Sequence, residues 1–70
     1  MKDIDFDSIG KKLKEIRTHK GFTQKFVASS VKVNTSHISN IENGKVKISF
    51  TTLVNVCNVL GTTVDYVLKN

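Results

Sequence analysis

Apolar residues recur along this chain with the period of an α-helix, and no stretch of useful length alternates with a period of two. Ile9, Leu13 and Ile16 stand at i, i+4 and i+7, which places them on one face of a helix. A later segment repeats these spacings with Phe50, Leu53, Val54, Cys57 and Leu60. The pattern predicts five helices, at about 8–20, 23–31, 35–43, 50–60 and 63–68, and no strands.

Glycines and small polar residues mark the ends of these segments. Gly21, Gly44 and Gly61 each follow a helical pattern, at the place where a left-handed glycine commonly ends a helix. Candidate N-caps stand before the segments: Asp7 or Ser8, Thr23, Asn34, Ser49, and Thr62 or Thr63. We therefore expect one all-α domain over residues 1–70, a compact five-helix bundle with residues 1–7 as an N-terminal extension.

The second and third segments are separated by a turn of only three to four residues, which is the geometry of a helix-turn-helix unit. At about 100° per residue, Ile38 and Ile41 define the inward direction of the third helix. The opposite side carries hydroxyl and amide groups, from Thr35, Ser36, Ser39, Asn40 and Asn43. A helix that only faces solvent would favour Glu, Lys, Gln and Ala, which are better helix formers than Ser, Thr and Asn. Asn, however, can bind adenine bidentately in the major groove. The pattern favours a base-reading helix, and a merely polar face is the alternative.

Glu42 and His37 lie on the flanks of the third helix, and a partly covered carboxylate needs a partner. Arg17 is the only arginine of the chain and lies at the edge of the first apolar stripe. Its guanidinium can bind a carboxylate through two parallel hydrogen bonds. We predict a structural ion pair between Arg17 and Glu42 that fixes the third helix against the first. His37 has two interpretations, a contact to phosphate or base and a solvent-facing side chain.

The charge is unevenly distributed along the chain. Residues 10–47 carry eight lysines and one arginine against two glutamates, a balance of +7, whereas residues 1–9 carry −2 and residues 48–70 carry zero. The net charge is +5. A basic block in a small domain indicates a polyanionic partner such as nucleic acid, although lysine-rich solvated surfaces are also common.

Several classes of protein are not expected from this composition. One cysteine, Cys57, cannot form an internal disulfide, and with two distant histidines it makes no zinc site, so we expect no metal and no cofactor. Cys57 is interpreted as a small buried hydrophobe rather than a reactive thiol. No apolar run approaches the roughly 18 residues of a membrane span, and the acidic N-terminus does not resemble a secretory signal. We expect a cytoplasmic protein with no catalytic residues and no enzymatic activity.

Three runs of this sequence resemble the lambda-repressor-like (Cro-type) helix-turn-helix family. They are Thr23-Gln24, the run Ile-Ser-Asn-Ile-Glu-Asn-Gly-Lys at 38–45, and Leu-Gly-Thr-Thr-Val-Asp at 60–65. The resemblance covers about residues 9–68. It implies a five-helix bundle, a recognition helix in the major groove and, commonly, a dimer on a near-palindromic site.

The resemblance also implies roles for individual residues. Thr35, Ser36 and Asn40 match base-reading positions, and Ser39 joins them on the outward face. Phosphate-binding positions are matched by Thr23, Gln24, Asn43, Lys45 and Lys47. Gln24 can also brace the recognition helix, and Arg17 with Glu42 matches a buried ion pair of several relatives.

Three positions depart from the family pattern. Lys32 stands at a turn position often held by glycine, so a positive φ there would cost energy. Phe26 occupies a normally polar position on the second helix, where it either fills a gap beside Ile4 and Phe6 or marks a contact with a partner. The acidic leading segment is not expected to act as a basic arm on DNA.

The expected function is a sequence-specific transcriptional regulator, a repressor, that reads double-stranded DNA as a homodimer with helix 35–43. Its last helix has more apolar surface than its own packing needs, and Val59 points away from the apolar stripe of the fourth helix. The candidate dimer seam therefore consists of Val59, Val64, Tyr66, Val67 and Leu68. The alternative is a protein-interaction module, such as an antitoxin or adaptor, with the same fold and a protein partner.

Overall fold

The computed structural model describes residues 4–69 of the chain. Five helices follow one another, namely α1 (Phe6–His19), α2 (Gln24–Val31), α3 (Thr35–Glu42), α4 (Phe50–Leu60) and α5 (Val64–Leu68). No strand occurs within the described range. The predicted all-α, five-helix architecture is confirmed. None of these helices is both long and apolar enough to cross a bilayer.

Capping residues explain where most of the helices begin. Side-chain hydroxyls accept a hydrogen bond from the backbone N–H three residues ahead at Thr23, Ser49 and Thr63. The first helix departs from the prediction, because its N-cap is Asp5 rather than Asp7 or Ser8. Asp5 Oδ1 accepts from the Ser8 backbone N–H at 3.2 Å, so α1 begins two residues earlier than predicted. Asn34 precedes α3 as predicted, but its side chain makes no cap hydrogen bond.

The core consists of the apolar stripes of all five helices together with one residue of the α3–α4 connection, Ile48. The stripe of α4 differs from the predicted one. Val56 is buried, whereas Phe50 is 72% exposed and Val54 is only partly covered. At 100° per residue, Phe50 lies about 70° from the centre of the buried direction, and it is also the first residue of the helix. The edge of the stripe is therefore uncovered at this end.

Gly10 allows α1 to approach α3 closely. A Cβ built on this residue would lie 2.1 Å from the backbone carbonyl oxygen of Ile41, which is far below van der Waals contact. Any side chain here would force the two helices apart. The position of α3 relative to α1 thus depends on the absence of a side chain at one buried position.

The turn between α2 and α3 contains the only non-glycine residue with positive φ in the described part of the chain, Lys32, at φ 60° and ψ 45°. The Val33 N–H donates to the Ala28 carbonyl at 3.0 Å and closes the end of α2. The left-handed conformation costs a residue with a Cβ about 1 kcal/mol or more. Lys32 therefore holds strain that a glycine would not have, whereas Gly21, Gly44 and Gly61 adopt the left-handed conformation predicted for them.

Candidate nucleic-acid interface

Helix α3 has a buried apolar face and an accessible polar face. Ile38 and Ile41 are each 3% exposed and point into the core, as predicted. The accessible side carries hydroxyl and amide groups, which are exposed at Thr35, Ser36 and Asn43 and partly covered at Ser39 and Asn40. His37 is half-buried on the flank. The structure therefore brings the predicted base-reading residues together on one surface.

A buried ion pair fixes this helix. Arg17 Nε donates to Glu42 Oε2 at 2.6 Å, and a terminal nitrogen of Arg17 donates to Glu42 Oε1 at 3.0 Å. The pair is bidentate, as predicted from the chemistry of the two side chains. A third donor of Arg17 binds the backbone carbonyl of Phe22 at 2.8 Å, a contact that the sequence did not indicate. Arg17 and Glu42 are 9% and 6% exposed, so solvent screens the pair weakly.

Gln24 adds α2 to the same network. Its side-chain Nε2 donates to Glu42 Oε1 at 2.9 Å. The Glu42 carboxylate on α3 is thus held by one residue of α1 and one residue of α2. Within residues 4–69 no buried side-chain nitrogen or oxygen lacks a hydrogen-bond partner. The polar face of α3 is therefore presented by a helix whose orientation is fixed from two sides.

Positive charge lies beside this face, on the turn that follows α3. Lys45 and Lys47 are exposed, and the Lys45 N–H donates to the Asn40 carbonyl at 2.9 Å. Lys47 Nζ lies 5.9 Å from the centroid of the Phe6 ring, in a cation–π contact with the start of α1. Thr23 is exposed at the N-terminus of α2, where its hydroxyl accepts from the Phe26 N–H. Lys45 and Lys47 thus lie on the turn that follows α3, and Thr23 lies at the start of α2.

Phe26 does not fill a gap beside the N-terminal segment. Its ring packs on Phe22 with centroids 4.8 Å apart, and the side chain is 48% exposed. Phe22 follows the C-terminal end of α1, whereas Phe6 begins this 14-residue helix. The two regions are separated by about 20 Å of helix, so the predicted contact with Ile4 and Phe6 is wrong.

The five residues predicted for a dimer seam do not share one environment. Tyr66 and Leu68 are 56% and 43% exposed, whereas Val59 and Val64 are partly buried against the core. Val67 is 3% exposed, so its inclusion in a seam is wrong. α5 has only five residues, and Val67 is the one that is buried, in the core of its own chain. Tyr66 packs under Lys12, whose Nζ lies 5.4 Å from the ring centroid.

Cys57 lies in the core, as its place in the apolar stripe of the fourth helix predicts. Cys57 is 2% exposed, and burial raises the pKa of its thiol, because a thiolate would be desolvated there. No group of three or more metal-ligating side chains comes together in residues 4–69.

Residues 13–67 match the model of the helix-turn-helix family. The SPbeta prophage-derived uncharacterised HTH-type transcriptional regulator YonR of Bacillus subtilis is 33% identical over 60 residues, covering 86% of this chain and 56% of YonR. The HTH-type transcriptional regulator ImmR of the same organism is 34% identical over 61 residues, covering 87% of this chain and 48% of ImmR. The chain thus spans about half the length of the curated relatives it matches.

Solved structures agree with these matches. The clp gene regulator ClgR of Corynebacterium glutamicum superposes with a TM-score of 0.88 at 29% identity, covering 97% of this chain and 87% of ClgR. The N-terminal DNA-binding domain of SinR from Bacillus subtilis superposes with a TM-score of 0.84 at 29% identity, covering 91% of this chain and 94% of that domain. The chain belongs to the helix-turn-helix family, in its lambda-repressor-like (Cro-type) form, as its motifs predict.

Proposed function

We propose that this chain is a sequence-specific DNA-binding transcriptional regulator, a repressor, which inserts α3 into the major groove. The observation that carries the proposal is the polar face of α3 on a helix clamped by the Arg17–Glu42–Gln24 network. An α-helix fits the major groove, and base edges there present donors and acceptors that hydroxyl and amide side chains can match. The regulators ClgR and SinR share the fold at 29% identity, which supports the same role.

Asn40 is the central candidate for direct base contact. Its side chain is only partly covered, and its amide can both donate and accept, which suits the N6 and N7 edge of adenine. Thr35, Ser36 and Ser39 surround it with hydroxyl groups on the same face. Base contacts of this kind set the sequence, whereas phosphate contacts set register and affinity.

Phosphate contacts are assigned to both sides of α3. Lys45, Lys47 and Asn43 lie after the helix, and Thr23 and Gln24 lie at the start of α2. An amide nitrogen carries two hydrogens, and Gln24 uses one of them on Glu42. The second hydrogen and the unpaired N–H groups of the first turn of α2 remain for a phosphate oxygen. Gln24 would then couple the DNA backbone to the position of the recognition helix.

A homodimer would place two copies of α3 in successive major grooves, about 34 Å apart. Tyr66 and Leu68 are the exposed apolar residues of α5 and form the proposed seam, together with the partly covered Val59 and Val64. Replacing Tyr66 and Leu68 together by serine is expected to weaken both self-association and DNA binding. Sedimentation equilibrium would measure the first, and an unchanged monomer–dimer equilibrium would contradict this assignment.

The central test is selection from a random duplex pool at about 150 mM salt, followed by sequencing. The native chain is expected to enrich a two-fold-symmetric motif that blurs at one position in the Asn40→Ala variant. Asn58→Ala is the matched control, because Asn58 is exposed on α4, outside the proposed interface. Absence of any enriched motif would refute sequence-specific recognition.

The exposed Phe26, stacked on Phe22, favours a second candidate role, a protein-interaction module such as an antitoxin or adaptor. Both roles can coexist in one chain. Weak, strongly salt-dependent DNA binding without an enriched motif, in the absence of any partner, would favour this second role over the first.

A further inference from the structure

The first turn of α1 brings a carboxylate against the turn that carries two of the proposed phosphate-binding lysines. A Cβ built on Gly44 would lie 1.6 Å from Asp7 Oδ1 and 2.7 Å from the Asp7 carboxyl carbon, so this carboxyl group packs directly on the Gly44 backbone. Phe6, the preceding residue, lies under Lys47 Nζ. The start of α1 therefore touches the 44–47 turn at two points.

The position of Asp7 is not explained by capping. Asp5 is the residue that caps α1, through its bond to the Ser8 N–H. Asp7 is exposed, and the structure shows no hydrogen bond or ion pair for its carboxylate among residues 4–69. Its one local role in the fold is a favourable interaction with the helix dipole in the first turn of α1.

We propose that Asp7 attenuates phosphate binding at the 44–47 turn; this inference rests on the proposed DNA-binding function. Lys45 directly follows Gly44, and consecutive Cα atoms are 3.8 Å apart, so a phosphate held by Lys45 comes within range of the Asp7 charge. The repulsion acts on the DNA backbone and is independent of sequence. It keeps non-specific binding weak and leaves the base contacts of α3 with a larger share of the affinity.

The two roles of Asp7 predict different effects of Asp7→Asn on the affinity for DNA. If Asp7 served only the helix dipole, Asp7→Asn would loosen α1 and leave DNA binding unchanged or weaker. If Asp7 attenuates phosphate binding, Asp7→Asn binds duplex DNA about two- to tenfold more tightly at low salt, from one removed repulsion at about 10 Å. The gain then shrinks as salt rises, because the screening length falls to about 8 Å near physiological ionic strength.

The experiment measures fluorescence anisotropy on a labelled mixed-sequence duplex long enough for two half-sites, about 20–30 base pairs. Native chain, Asp7→Asn and Glu15→Gln are compared at about 50 and about 200 mM salt, with thermal melts to verify folding. Glu15→Gln makes the same change in charge at an exposed residue of α1, about two turns further along the helix and outside the proposed dimer seam.

Tighter binding by Asp7→Asn alone, with a ratio that falls as salt rises, is the expected result. Equal tightening by both variants would mean that net charge is responsible, and would overturn the proposal. Unchanged or weaker binding by a folded Asp7→Asn would also overturn it, while leaving the DNA-binding function intact. If neither the native chain nor either variant bound the duplex, the proposed DNA-binding function itself would be contradicted.

Discussion

Gly10→Ala is expected to destabilise the fold, although alanine is the better helix former. Host–guest propensities favour alanine over glycine in a helix interior by about 1 kcal/mol. The new Cβ would lie 2.1 Å from the Ile41 carbonyl oxygen, about 1.3 Å short of ordinary contact at 3.4 Å. The obstacle is backbone, and that carbonyl already accepts from the Gly44 N–H at 3.1 Å, so it cannot rotate away like a side chain.

Relief of this clash requires α1 and α3 to separate. Overpacking of this kind costs about 3 kcal/mol at the upper end of its usual range, so the net loss is about 2 kcal/mol. For a domain of 60–100 residues this corresponds to a melting temperature about 8–16 °C lower. Urea unfolding followed by circular dichroism would measure the change, with Lys14→Ala, an exposed substitution on the same helix, as control. A Gly10→Ala chain as stable as the native one would show that the α1–α3 contact is not rigid.

Three further changes probe the clamp, the strained turn and the buried thiol. Arg17→Met should lower the free energy of unfolding by about 3–5 kcal/mol, measured with urea, because it leaves Glu42 buried without its cation. Adding Glu42→Leu should recover most of this loss. Similar stability for the single and double variants would contradict the ion-pair argument. Lys32→Gly should raise the free energy of unfolding by about 0.5–1 kcal/mol, since the free energy gained by relieving left-handed strain exceeds the entropic cost of ordering glycine. A lower free energy of unfolding would show that the turn is not strained. Burial raises the pKa of the Cys57 thiol, so the unfolded chain loses this proton first and the free energy of unfolding falls as pH rises through the ordinary thiol range. Cys57→Ala should be less stable near neutral pH but should not show this loss of stability at higher pH. Stability–pH curves that run parallel for the two chains would contradict the prediction.

The parts of the fold that follow from local pattern could be predicted from the sequence. The stripes containing Leu13 and Ile38 and the glycines that end three helices are local features, because one turn of helix fixes their orientation or backbone conformation. The Arg17–Glu42 pair was predictable for a chemical reason. It joins the one guanidinium of the chain to a carboxylate on the flank of a buried face.

The predictions that are wrong or missing concern contacts between residues that lie far apart in the sequence. A glycine within a helical pattern carries no sign of the element that will approach it, so Gly10 was not singled out. A five-residue helix contains too little of the helical period to separate its buried from its exposed side, and Val67 was therefore misplaced. Phe26 could be identified as unusual, but its stacking on Phe22 depends on the turn after α1.

The clamp on α3 also has a thermodynamic consequence. Its hydrogen bonds are complete in the free chain, so the recognition helix is preorganised and needs no folding step when a ligand arrives. In calorimetry, DNA binding as proposed should therefore show a heat-capacity change that matches the apolar surface buried between rigid partners, without the large additional term of coupled folding. The same rigidity limits adaptation, since a helix held from two sides can change its target sequence only by changing the side chains that it presents.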